Sequence, residues 1–464
     1  MNFSLAEAAA ILGAAAAPEV PLMGAAVDSR AVVPGNLFVA IRGARVDGHD
    51  FARDAVARGA KAVLAEKPPT GLPAGFPVLS VPSVPPALLT LAGGLKKHRD
   101  FRLAAIGGSA GKTTTKEFAA AILSWRFRAV EKTPGNQNSA IGFPLSVLNL
   151  PNIPEWMVGE MGMSQIGEIS RLSKTFEPDV AAITLIALEH LEFLESLDGI
   201  AKANAEILEG MKPGGIFVVN VDDPRIAAIA ATHRGHKLGF GRSSAADLTV
   251  EEVRATSRGS RFRLVTPAGD ATIDLGVPGE HMVSNFLAAA AVALACGASP
   301  AECQAAAPRL GPAPHRGELK THPSGALLYD DAYNASPPSM RAALDALKIL
   351  PGRRRIAVLG DMLELGSEDL WWHRETGRYV VGRADRLLCV GPRARAIGEG
   401  AVEAGFPSAE VRSLETPEQA ANLLDSMLSE GDVVLFKASR GIGLERAVAR
   451  LAGQQPPRAP GAAR

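Results

Sequence analysis

Gly108-Ser109-Ala110-Gly111-Lys112-Thr113-Thr114 is the run whose residue types and spacing point most directly to chemistry. It follows a short apolar stretch, Leu103 to Ile106, and precedes a stretch of helix formers, Lys116 to Leu123. A strand, a glycine turn and a helix start make a phosphate cradle. Backbone N–H groups and the positive end of the helix dipole face the anion. Lys112 adds a point charge, and the Thr113 hydroxyl is placed for Mg²⁺. Position 106 is Ile, so the longer G-x-x-x-x-G-K-[ST] pattern is not met. The short form, G-x-x-G-K-T, points to one group of ATP users. The alternative is a glycine turn with a surface lysine, and the strand-to-helix setting argues against it.

Further polar residues stand at the carboxyl ends of apolar runs, where parallel sheets collect ligands. Glu160 follows Trp156 to Gly159, and Glu189 and His190 follow Val180 to Ile186. A carboxylate and an imidazole converging on a phosphate loop suggest metal ions that neutralise a triphosphate. Taken singly, Glu160 reads equally well as a surface carboxylate and His190 as a structural histidine. Their convergence on one sheet edge favours the ligand reading.

The elements that must position these residues alternate along the chain. In the middle region, apolar runs at Trp156–Gly159, Val180–Ile186 and Ile216–Asn220 suit a buried parallel sheet, with helical stretches between them. A short β region after Pro267 leads into a long helix, Val283 to Cys296, and Pro308 to Pro314 reads as a linker. The third region repeats the pattern, with strands at Ala326–Tyr329, Ile356–Leu359, Arg386–Val390 and Val433–Phe436. Thr416-Pro417-Glu418-Gln419 reads as a helix start. The first region is a small α/β unit with a strand over Asn36–Ile41 and a helix over Phe51–Arg58. Ser4 to Glu7 reads as a capping box. A proline-rich stretch runs from Pro68 to Pro86, and Lys96 to Arg99 reads as a solvated helix end. The fold class expected is α/β in three domains. These are a small N-terminal α/β domain over 1–98, a central phosphate-loop domain with a parallel sheet over 99–312, and a Rossmann-like domain over 313–454. Residues 455–464, rich in Pro, Ala, Gly and Arg, are expected to be a disordered tail.

A length of 464 residues supports about three domains. Lys plus Arg and Asp plus Glu are each 49, a balance that argues against nucleic acid or an anionic membrane as a bulk partner. Cys296, Cys303 and Cys389 show no metal or disulfide spacing, which fits a reducing cytoplasm. The N-terminal segment lacks the basic start of a signal peptide, and no apolar run is long enough to span a bilayer. A cytoplasmic monomer is expected.

The chain resembles the Mur ligases, the ATP-dependent amide-forming enzymes of peptidoglycan synthesis. The resemblance covers nearly the whole chain. It is carried by Asp28-Ser29-Arg30, Pro34 to Ala40 and Asp47-Gly48-His49 in the first region. The centre contributes Gly108 to Glu117, Gly135-Asn136-Gln137-Asn138 and Ile141 to Leu145. The third region contributes Asp330 to Pro337, Leu359 to Gly366 and Ser439-Arg440-Gly441. The motifs imply the family member that joins D-alanyl-D-alanine to UDP-N-acetylmuramoyl tripeptide through an acyl phosphate, with ATP and Mg²⁺.

The resemblance implies roles residue by residue. Gly108, Ser109, Ala110, Gly111, Lys112, Thr113 and Thr114 would hold the phosphates. Lys112, Glu160 and His190 would be catalytic, and Thr113, Glu160 and His190 would hold metal. Asn285, Arg316, Asp331 and Tyr333 would complete the ATP site, although Asn285 also reads as a buried helix asparagine. Ser29 and Arg30 would contact the UDP end, and Asn136 and Asn138 the acid near the transferring group. Ser439 and Arg440 would face the amine substrate, where a guanidinium can grip a carboxylate; Arg440 also reads as a surface charge.

The departures from the family are local. The pattern A-K-A-K-G-E-I, whose second lysine is carbamylated in the family and helps hold a second Mg²⁺, reads here Ala201-Lys202-Ala203-Asn204-Ala205-Glu206-Ile207. Asn204 cannot be carbamylated. Lys202 is about 200° around the helix from it, so a surface lysine near Glu206 is expected. Leu185 and Glu189 alter the stretch before His190, where Glu189 could restore a negative charge. Ser139, Met282 and Ala438 replace usual residues elsewhere. These changes leave a second reading open: a divergent relative that binds nucleotide or UDP-sugar without ligating, or that uses another amine.

Overall fold

The structure, a computed structural model, describes residues 1–43, 46–188, 194, 196–256 and 259–454. In the first region, β1 (Asn2–Ser4) and β2 (Pro21–Met23) form an antiparallel ribbon. Strands β3 (Ala25–Ala26), β4 (Leu37–Val39), β5 (Ala62–Ala65) and β6 (Val78–Ser80) form a parallel sheet in that order. Ser4 caps the helix Leu5–Leu12 by accepting from Glu7 N–H at 3.0 Å. The capping box expected there is only half made. The Glu7 carboxylate instead takes both ends of the Arg99 guanidinium, at 2.7 and 2.8 Å. Pro85 and Pro86 leave the proline-rich stretch to open the helix Val84–Arg99, where their missing N–H groups cost nothing. The basic end of that helix is not uniformly solvated. Lys96 is buried over the Phe101 ring, and desolvation pulls its pKa down to about 8.

The central sheet is built from β7 (Arg102–Gly107), β8 (Val130–Lys132), β9 (Trp156–Glu160), β10 (Val180–Ile183), β11 (Ile216–Asn220) and β12 (His236–Phe240). All pairings are parallel, in the order β12-β11-β10-β7-β9-β8. Alternate residues feed two cores, as the strand period of two requires. Leu103 and Ala105 pack toward the helices Val84–Arg99 and Glu168–Phe176. Ala104 and Ile106 pack toward the helices Lys112–Leu123 and Glu280–Ala295. The chain leaves β7 toward β8 and β9 and later returns to β10 on the other side. That reversal opens a crevice at the carboxyl ends of β7, β9 and β10. An antiparallel meander, β13 (Thr249–Ala255), β14 (Ser260–Val265) and β15 (Ala271–Leu275), covers the second core.

The apolar run at Val180–Ile186 is strand only to Ile183. At Thr184 the backbone turns to serve the phosphate loop. Thr184 Oγ1 donates to Gly107 C=O at 3.1 Å and Ala110 C=O at 2.6 Å, and Leu185 C=O accepts from Ser109 N–H at 2.7 Å.

The third sheet starts with β16 (Glu318–Thr321), antiparallel to β17 (Leu327–Asp330). It continues in parallel through β18 (Arg354–Gly360), β19 (Arg386–Val390), β20 (Val411–Leu414) and β21 (Asp432–Lys437), in the order β16-β17-β21-β18-β19-β20. Thr416 caps Pro417–Asp425 as expected, accepting from Gln419 N–H at 3.3 Å. His315, at φ 59, turns the chain into this sheet. Its Nδ1 lies 2.7 Å from Asp330, which also takes Lys320 at 2.8 Å. At the other junction, the Asn149 carboxamide pairs with both backbone groups of Ala25, at 3.0 and 2.9 Å.

Candidate functional site

The phosphate loop joins β7 to the helix Lys112–Leu123. Gly108 has φ 117, and a Cβ there would lie 2.1 Å from Thr184 Oγ1. Gly111 has φ 82, and its Cβ would lie 2.4 Å from Asn285 Oδ1. Both positions require glycine. The Ser109 hydroxyl is buried and without a hydrogen-bond partner, an oxygen that an incoming phosphate would satisfy. Lys112 Nζ folds back onto Gly108 C=O and, at 3.3 Å, onto Ser109 C=O.

Glu160 ends β9 and is 2 % exposed. Its Oε2 accepts from Thr113 Oγ1 at 2.7 Å and its Oε1 from Asn138 Nδ2 at 2.8 Å. Its own N–H donates to Thr133 Oγ1 at 3.1 Å. Glu160 has no salt bridge among the described residues, although the Lys116 ammonium acts on it through charge. A hydroxyl, a buried carboxylate and a phosphate loop together fit Mg²⁺. Glu189 and His190 lie outside the described residues.

Asn204 is 1 % exposed on the helix Leu197–Ala205. Its Oδ1 accepts from Gly108 N–H at 2.6 Å, and its Nδ2 donates to Ile200 C=O at 3.0 Å. The carboxamide thus braces the loop and offers no charge to a second metal. Lys202 is exposed, as its helix position predicts. Glu206 is not its surface neighbour. Glu206 is buried and accepts from the N–H groups of Gly167 and Ser170, at 2.6 and 3.1 Å.

Two cavities meet at the loop. The first, about 410 Å³, runs from Ser109, Gly111 and Thr114 past Asn285 to Arg316, Asp331 and Tyr333. Its far end carries Phe240, Val250 and Leu287 beside Asn220, apolar walls with polar edges that suit a base. Asn285 is half-buried and faces this space, not a helix core. The second cavity, about 450 Å³, takes in Lys112, Thr113, Asn136, Asn138, Ser439 and Arg440. Ala110, Arg316 and Tyr333 line both. Tyr333 stands between two guanidiniums, Arg316 at 3.9 Å and Arg440 at 4.9 Å from its ring centroid. Ser439 Oγ accepts from Leu363 N–H at 2.9 Å, holding a turn in which Glu364 has φ 66. Ser29 and Arg30 line neither cavity. They form a turn in the first region, with Asp28 accepting from Arg30 N–H at 2.9 Å and pairing with its guanidinium at 2.7 Å.

Several residues escaped the sequence reading. Lys437 is buried and holds Asp331 at 2.6 Å and Asn334 C=O at 3.0 Å. Its signal was weak: a single lysine closing the apolar run of β21. His281 also lines the first cavity, and burial pushes its pKa down. Lys116 ties the loop that carries Asn136 and Asn138 to the phosphate-loop helix.

A phosphate loop at the switch point of a parallel sheet, facing a second α/β sheet across shared cavities, defines a nucleotide-binding protein of the phosphate-loop class. Comparison with known proteins narrows the class. The profile of the Mur ligase middle domain matches residues 106–293, that of the Mur ligase glutamate ligase domain 315–440, and that of the Mur ligase family catalytic domain 22–92. The chain is 34% identical over 427 residues to the UDP-N-acetylmuramoyl-tripeptide–D-alanyl-D-alanine ligase of Bacillus subtilis, covering 92% of each chain. The crystal structure of MurF from Acinetobacter baumannii superposes with a TM-score of 0.88 at 30% identity, over 98% of this chain and 99% of that one. MurF from Thermotoga maritima in complex with ADP gives 0.80 at 30% identity, over 93% and 97%. The chain belongs to the Mur ligase family.

Proposed function

We propose that this chain is an ATP-dependent ligase that joins D-alanyl-D-alanine to UDP-N-acetylmuramoyl tripeptide in peptidoglycan precursor synthesis. The observation that carries the reading is the pair of cavities sharing one phosphate loop. One suits a nucleotide, and the other places Asn136, Asn138 and Arg440 on the far side of Lys112. The named relatives and the ADP complex of one of them support the same substrates.

The first step brings two anions together. A terminal carboxylate oxygen of the tripeptide attacks the γ-phosphorus, ADP leaves, and an acyl phosphate forms. Lys112 moves from the loop carbonyls onto the phosphates and offsets the repulsion. Mg²⁺ would be held by Thr113 and Glu160, with His190 assigned on the family motif, and would spread the phosphate charge further. Asn138 holds Glu160 in place, and Asn136 and Asn138 orient the acid. Asn285, Arg316, Asp331 and Tyr333 hold the nucleotide across the cleft, with Lys437 fixing Asp331. In the second step the dipeptide amine attacks the acyl carbon, loses a proton, and phosphate leaves. Arg440, beside Ser439, grips the dipeptide carboxylate and aims the amine. Ser29 and Arg30 are assigned to the UDP end on the family motif.

The candidate site is assembled within one chain, which suits a monomer, and a nucleotide-sugar substrate suits the cytoplasm. No helix of the described residues is long and apolar enough to cross a membrane. The test is ADP release in the presence of Mg²⁺. Release should require both the UDP-tripeptide and D-alanyl-D-alanine, and Lys112→Ala should lower it by about 10²-fold or more. No turnover with both substrates present would refute the reading.

A further inference from the structure

Lys116 lies one helical turn beyond Lys112, and its side chain is completely buried. An ammonium in such a place is tolerated only when its donors are satisfied. Here three N–H donors meet three acceptors. Nζ is 2.7 Å from Thr133 C=O, 2.8 Å from Gly135 C=O and 3.2 Å from Glu117 Oε1. Burial draws its pKa down, while the charges of Glu160 and Glu117 oppose that. Lys116 lines neither cavity, so it has no place in the chemistry described above.

Two of its acceptors are main-chain carbonyls of the loop that carries Asn136 and Asn138. Pro134 to Gln137 are exposed, and nothing lies within 4 Å of where a Gly135 Cβ would be. Packing does little to hold the tip at Gly135, while Gln137 Oε1 accepts from Ser146 Oγ at 2.9 Å. Its ends are tied to β9 and the turn after it: Thr133 N–H donates to Val158 C=O at 3.1 Å, and Asn138 C=O accepts from Gly162 N–H at 3.0 Å. Lys116 is its tie to the phosphate-loop helix.

We infer that Lys116 is a positioning residue that locks the loop Thr133–Asn138 to the phosphate-loop helix and so sets the acid substrate in register with the γ-phosphate. The part concerning the acid rests on the proposed function; the lock itself does not. The effect of losing it should fall on the acid and on turnover, not on the nucleotide.

The experiment compares the full chain with Lys116→Met, which keeps length and apolar body but removes all three donors, and Lys116→Arg, which keeps charge and donors. Hydrogen exchange, the ADP dissociation constant and steady-state kinetics are measured on each. In wild type the amides of Thr133, Gln137 and Asn138 should be protected without substrate, and free exchange there would overturn the inference before any variant is made. In Lys116→Met, exchange over 133–138 should rise about tenfold or more, the KM for UDP-tripeptide should rise and kcat fall by about tenfold each, and ADP affinity should stay within about threefold. Lys116→Arg should recover part of the KM. Unchanged exchange in Lys116→Met, or ADP binding weakened as much as the acid, would overturn it. Should Lys116→Met fail to fold, Lys116→Gln, which keeps an amide donor, is read by the same criteria. If wild type turns over no UDP-tripeptide, the proposed function fails while the exchange result still decides the lock.

Discussion

Asn204 shows how one side chain can replace a charge with a hydrogen bond. A carboxamide is not nucleophilic and cannot take up CO₂, and both of its polar atoms are already engaged, by Gly108 and Ile200. The initial rate of ADP release should therefore be the same in CO₂-depleted and bicarbonate-supplemented buffer. A rate that rises with bicarbonate would place a carbamate elsewhere in the chain. Asn204→Ala would strand the buried Gly108 N–H at a cost of about 1–3 kcal/mol. It should lower the thermal midpoint and weaken ADP binding, both measurable by melting with and without ADP. The absence of a lysine at position 204 is legible in the sequence. What the asparagine does instead is not, because its partner lies 96 residues away in the chain. Lys116 and Lys437 were missed for the same reason. A lysine in a helix former's run, or at a strand end, looks solvated until the fold surrounds it with acceptors.

At the scale of elements, β10 is cut short so that Thr184 and Leu185 can hold the phosphate loop. Thr184→Val keeps the shape and removes the donor to Gly107 and Ala110. Ala110 C=O then loses its partner, while Gly107 C=O keeps the Thr184 N–H at 3.1 Å, a destabilisation of about 1–3 kcal/mol. ADP should bind more weakly while the UDP-sugar binding proposed for the first region is unchanged, as titration of each ligand would show. Equal weakening of both would point to general unfolding. Strand positions were readable because a parallel sheet buries both faces and leaves continuous apolar runs: Ile216–Asn220 and Arg386–Val390 appear as expected. Strand ends were less readable. The apolar run continues through Ile186, and only a long-range demand from the phosphate loop explains the break. Helix starts depended on whether the cap is local. Thr416 was recognisable from its neighbours, but the far half of the Ser4 box was lost to Arg99.

At the scale of the molecule, the turn into the third sheet carries a titratable tie. The hydrogen bond to Asp330 raises the His315 pKa. Burial pushes the Asp330 carboxyl up, but His315 and Lys320 outweigh it and hold it low. A raised histidine contributes stability fully below its unfolded value of about 6.5 and loses it as pH climbs through the folded value. The lowered Asp330 loses its share only at acid pH, below about 3.9. As pH rises from below the unfolded value of about 6.5 through the raised folded value, the thermal midpoint of wild type should fall relative to that of His315→Gln. Parallel profiles would mean that His315 titrates without consequence. His315, Glu318 and Asp330 lie close enough to suggest a metal site, but Lys320 already pairs with both carboxylates.

Tyr333 lines both cavities, and two guanidiniums lie close to its ring. One compound bearing a purine-like head and a carboxylate tail, joined by a linker just long enough to pass the ring, would engage both chambers at once. Its second contact would then form at an effective concentration in the millimolar range rather than at that of a free ligand. For inhibitor chemistry the lining shared by the two cavities around Tyr333 is the place to build across.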